Sequence, residues 1–135
     1  MLTADTKRHI DSARQVLVGQ LPNPMSQIQE ITNALIYKFM DDMDEQSAAL
    51  GGKRKYFTGE YAKYGWRQMM SPTIGAQERL NLYQESLRKM QNNPGLPPMF
   101  QQIFQNAYLP FNDPRTLTLF LKEIDYFDYE HSEEL

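Results

Sequence analysis

Apolar residues recur at three- and four-residue spacing along most of this chain, and Pro and Gly interrupt the repeats. No segment alternates with period two over β-branched residues. The pattern predicts an all-α fold: a compact multi-helix bundle of about five to six helices, with no significant sheet. Thr3 is placed to cap a first helix, with Asp5 in its first turn and Ile10, Ala13 and Leu17 on one face. "GQLPNP" breaks the chain at Gly19 to Pro24. Ser26 is the expected cap of the second and longest helix, whose stripe is Ile28, Ile31, Leu35, Phe39, Met40 and Met43, widened by Ile36 and Tyr37. Leu35 and Phe39 lie mid-stripe and are expected at the centre of the bundle. Gly51 and Gly52 supply a left-handed stop.

Beyond a break at "MMSPTIG", a helix is predicted from about Ala76 to Asn92 on Ala76, Leu80, Tyr83, Leu87 and Met90. "NNPGLPP" ends it, and a short helix carries Phe100, Ile103, Phe104 and Ala107. The last helix opens with Asp113 as cap and Pro114 in the first turn, and its face is Leu117, Phe120, Leu121, Ile124 and Phe127. From Glu123 onward there are six acids and no Lys or Arg. The chain then stops at "SEEL" without a helix terminator. That is the pattern of a segment cut from a longer protein, with an acidic solvated tail as the alternative.

The 135 residues fit a single domain, 1–135, able to bury a core. With no cysteine, disulfides and thiolate metal sites are excluded. The start lacks the apolar core of a signal peptide, and no apolar run reaches the length of a membrane span. A cytoplasmic location without a membrane partner is expected. A net charge of −3 argues against a protein that coats nucleic acid non-specifically.

Charge is nevertheless uneven. Over "KRKYFTGEYAKYGWR", five basic residues (Lys53, Arg54, Lys55, Lys63, Arg67) accompany one acid, Glu60, a local charge of +4. Tyr56, Phe57, Tyr61, Tyr64 and Trp66 are interleaved with them. The five cations are the candidate DNA-contacting residues. Trp66, Phe57 and Tyr61 are expected to pack onto the bundle, while Lys53, Arg54 and Lys55 project from a mobile loop after the glycine stop.

No enzymatic constellation survives inspection. "DDMDE", Asp41 to Glu45, resembles the opening of a calcium loop, but counting from Asp42 the sixth and twelfth positions hold Ser47 and Lys53 instead of Gly and Glu. A solvated helix face is the expectation there. His9 and His131 lie in polar surroundings without partners at metal-ligand spacing, so surface histidines are expected. "LGGKRK" lacks the pattern of a phosphate loop. The eight methionines read as core filler. "GLPPMF" is superficially like the Asn-Pro-Pro-aromatic loop of amino methyltransferases, but Leu96 stands where a polar residue must accept from the base amine, and Met99 separates Pro98 from Phe100. Catalytic, cofactor-binding and metal residues are therefore expected to be none.

The segment "ITNALIYKFMDDMDE" resembles the "LLFLKFLSD" type of helix in the N-terminal helical domain of modification subunits from type I restriction–modification systems. The pieces that follow keep that family's order: a variable loop, "YGWRQMM", a long helix, "NPGLPPMFQQIF" and "NDPRTLTLFLKEID". The ordered set covers nearly the whole chain. The resemblance implies a chain ending just before a methyltransferase domain. The complete subunit would be an adenine-specific DNA methyltransferase using S-adenosylmethionine. Its implied partners are DNA, a specificity subunit, a second modification subunit and a restriction subunit. The cofactor and catalytic residues belong to the absent domain, so none transfers to a position here. A helical protein–protein interaction module without a nucleic-acid role is the competing expectation.

Overall fold

The computed structural model describes residues 3–129. Among them are seven helices and no strand. They are α1 (Ala4–Leu17), α2 (Pro24–Ala49), a 3-10 helix (Gly59–Tyr64), α3 (Trp66–Met69), α4 (Ala76–Met90), α5 (Pro98–Asn106) and α6 (Pro114–Asp125). The 3-10 helix falls inside the basic stretch and the four-residue α3 begins at its end; the stretch carries no helical periodicity of its own. His131 and the "SEEL" end lie outside the described residues.

Local chemistry sets most boundaries. The Thr3 hydroxyl accepts the Thr6 amide at 3.1 Å and opens α1. Asp113 accepts the amides of Arg115 and Thr116, with Pro114 beside it in the first turn of α6. Those contacts, led by the Thr116 hydroxyl at 2.8 Å, hold its carboxyl below the usual carboxylate range. Gly51, at φ 86, stops α2 in a conformation that a side chain would strain. The cap of α2 is Asn23 rather than Ser26: the Asn23 carboxamide accepts the Met25 amide at 2.8 Å. Pro24 has no amide to satisfy and its fixed φ suits the first helical position, so the helix begins before Ser26 is reached.

Helix α6 is the hub. Leu117, Phe120, Leu121 and Ile124 are fully buried, and α1, α2 and α4 all pack on them. Leu80, Tyr83, Leu87 and Met90 close the α4 side. The Arg79 guanidinium, itself buried, donates to the carbonyls of Met69 and Ser71 and to the Thr118 hydroxyl, tying the 69–74 connection to both helices. Met40, Met69 and Met90 fill the core, whereas Met25 and Met99 are exposed.

The buried face of α2 keeps Ile31, Tyr37 and Met40 of the predicted stripe but not the rest of it. Ile28 is 48% exposed, and Leu35, Phe39 and Met43 are only half-buried. The face turned inward carries Gln27, Glu30, Ala34, Tyr37, Asp41 and Asp44, also at three- and four-residue steps. Each polar member except Glu30 has a specific partner. Gln27, for example, donates to the Leu21 carbonyl at 2.8 Å. Hydrophobic periodicity cannot reveal a face whose polar groups are satisfied by tertiary contacts. The centre of the bundle is Tyr37, not Phe39. Its ring stacks with Phe57 at 5.6 Å and Tyr83 at 5.9 Å, and meets Trp66 and Phe104 edge-on. Its hydroxyl donates to the Tyr64 carbonyl and lies 2.5 Å from the Ser86 hydroxyl. Phe39 instead packs near Tyr129, with ring centres 6.2 Å apart.

Candidate functional site

The basic stretch is built onto the last three turns of α2. After the Gly51 turn the chain folds back along the helix, and the Ser47 hydroxyl donates to the Lys53 carbonyl at 3.0 Å. Asp44, 1% exposed, then receives three successive backbone amides. Lys55 donates at 2.8 Å, Tyr56 at 3.2 Å and Phe57 at 2.9 Å. A buried carboxylate with three amide donors is well satisfied, and the loop backbone is fixed by it. Phe57, Tyr64 and Trp66 are buried as expected of large rings, and Tyr61 is half-buried. The Trp66 indole donates to Asp125 at 2.8 Å.

Asp41 is equally buried. It accepts the Arg67 amide at 3.3 Å, and the Arg67 guanidinium lies 3.8 Å away. Burial pushes its carboxyl up, and the Arg67 amide and charge partly offset this. Asp42 takes Lys38 at 2.9 Å and the Tyr129 amide at 3.1 Å. The acidic run is thus no solvated face. Two of its carboxylates are inside, receiving the loop and Arg67, because a helix face of opposite charge lay beside the basic stretch.

The five candidate cations separate into two groups. Arg54 forms a close ion pair with Glu45, and Arg67 reaches the same carboxylate at 2.8 Å. Lys63 stands 3.9 Å from Glu85 and 5.2 Å over the Tyr64 ring centre. Lys53 and Lys55 are exposed and have no ion-pair partner among the described residues. The loop therefore presents two free ammonium groups on a backbone that Asp44 holds. Arg88 and Lys89 were not among the candidates. In sequence they look like ordinary cations in the last turn of a helix, and the fold brings Lys89 to a cleft shared with Lys63.

His9 is no isolated surface histidine. Its Nδ1 lies 2.9 Å from the Glu123 carboxylate and its ring stacks on Tyr126 at 3.7 Å, tying α1 to the end of α6. No nucleophile or metal set accompanies it: no group of three His, Cys, Asp or Glu fit to hold a metal occurs among the described residues. The described residues contain no strand leading into a glycine-rich turn, and Leu96 is 4% exposed, packed in the core rather than offered to a base. No described helix is long and apolar enough to cross a membrane.

No family model, curated protein or solved structure matches this chain.

Proposed function

We propose that this chain is the helical N-terminal domain of the modification subunit of a type I restriction–modification system, and that Lys53 and Lys55 contact the phosphate backbone of duplex DNA. The observation that carries the DNA reading is the pairing of free charge with fixed backbone. Two exposed lysines without acid partners stand on a loop whose amides are bound by Asp44. A loop already ordered loses little freedom on meeting a polyanion. The family part rests on the ordered set of segments in the sequence. Under this reading the complete subunit is a cytoplasmic adenine methyltransferase using S-adenosylmethionine, assembled with specificity, restriction and second modification subunits. This chain supplies contacts and no catalytic group.

The test is a duplex-binding titration across salt concentrations with the double variant Lys53→Glu/Lys55→Glu. Phosphate contacts carry no sequence information, so affinity should fall about equally for unrelated duplexes. The slope of log affinity against log salt should flatten by about 0.9 per lost contact. An unchanged affinity and slope with an intact helical spectrum would overturn the DNA reading. A protein-interaction module is favoured by one observation: Met25 and Ile28, a turn apart on α2, are 72% and 48% exposed. Absence of any duplex binding at low salt would favour that reading instead.

A further inference from the structure

A cleft of about 270 Å³ opens between the 3-10 helix and the end of α4, lined by Glu60, Tyr61, Lys63, Tyr64, Lys89 and Asn92. Its cations outweigh its acids. Glu85 beside it is engaged, because the Tyr64 hydroxyl donates to it at 2.8 Å and Lys63 lies 3.9 Å away. Lys89 is exposed with no ion-pair partner among the described residues, and the neighbouring Arg88 is exposed and close enough for its charge to act on Tyr64.

The cleft and the basic loop share one piece of backbone. The turn after α4 accepts the Tyr61 hydroxyl on the Asn92 carbonyl at 3.2 Å, and the Asn93 amide group donates to the Tyr56 carbonyl at 2.6 Å. Gly95 completes this close approach, since a Cβ there would stand 2.5 Å from the Lys55 carbonyl oxygen. Lys55 and the cleft are therefore held against the same turn.

We propose that the cleft is a second phosphate-contact site for the same duplex, with Lys63 and Lys89 as its cations and Arg88 beside them. The proposal rests on the reading of Lys53 and Lys55 as phosphate contacts. A phosphodiester fits because Lys53 and Lys55 on one side of the shared turn and Arg88 and Lys89 on the other are exposed cations with no ion-pair partner among the described residues, with Lys63 beside them against Glu85. The half-buried Tyr61 ring gives a sugar or base edge a flat surface.

The experiment compares the full chain with Lys53→Glu/Lys55→Glu and with Arg88→Gln/Lys89→Gln, using a short duplex at low salt and then at rising salt. The cleft variant should weaken binding roughly tenfold at low salt and flatten the salt slope by nearly one unit for each contact removed. If the loop variant weakens binding and the cleft variant leaves affinity and slope unchanged, the cleft proposal is overturned and the loop reading stands. If only the cleft variant weakens binding, the loop reading falls and the cleft is the contact. No binding by the unmodified chain overturns both. Because Arg88 and Lys89 are exposed, folding should persist. The single variant Lys89→Gln repeats the measurement should the double variant lose its helical spectrum.

Discussion

Asp44 Oδ2 accepts the backbone amide of Phe57 at 2.9 Å, joining the inside of α2 to the start of the aromatic stretch. The same carboxylate takes the amides of Lys55 and Tyr56. One buried acid thus orders the segment that carries the free lysines.

Asp44→Ala should therefore cost about 3 kcal/mol, since three amides lose their acceptor and refilling with water requires opening the site. Hydrogen exchange at the amides of Lys55, Tyr56 and Phe57 should accelerate more than elsewhere. Unchanged exchange at these amides would show that the loop is held by its rings alone.

Tyr37 and Phe39 offer a direct comparison. Tyr37→Ala should lose about 3–5 kcal/mol, the range for a buried ring. Phe39→Ala, from a half-buried site, should lose roughly half that. Denaturant midpoints check the order, and a larger loss at Phe39 would contradict the burial of Tyr37 in place of Phe39.

Glu30 makes stability depend on pH. It is 5% exposed, one carboxylate oxygen has no hydrogen-bond partner, and burial pushes its carboxyl up to about 7. The folded chain then holds a proton that the unfolded chain releases near its ordinary value of 4.5. The contribution to stability is complete below that value and is lost as pH rises through about 7, a change on the order of 3 kcal/mol. Asp41, also raised, acts in the same direction, while Asp113, lowered, acts oppositely. Glu30→Gln should remove its own part, so the difference in stability between variant and parent should grow from pH 4.5 to 7. A constant difference across that interval would show that Glu30 is ionised in the folded chain.

Isothermal titration of this chain with S-adenosylmethionine should show no saturable micromolar binding, because Leu96 is packed inward and no glycine-rich cradle is present among the described residues.

What could be read from the sequence follows where local chemistry decides. Asp113, Pro114 and the Leu117–Ile124 face define α6 without help from the rest of the chain, as Thr3 does the start of α1. Ser26 failed as a cap because Asn23-Pro24 offers a better start three residues earlier. Of the α2 stripe, Ile31, Tyr37 and Met40 are buried, but the rest of the inner face was not legible, because burial there depends on Asp41, Asp44 and Gln27 finding partners from distant segments. At the candidate site, the basic charge and buried rings were legible. Which cations remain free was not, since Glu45 and Glu85 select them only once the helices pack.

Glu45 holds both Arg54 and Arg67. It acts as a built-in counterion. A phosphate that reached either guanidinium would have to displace the Glu45 carboxylate, so that contact is weakened by the ion pair it breaks. Positive charge counted along this stretch therefore overstates its electrostatic pull. The two arginines are held in reserve by α2, and of the five cations only Lys53 and Lys55 face solvent without an acid partner among the described residues.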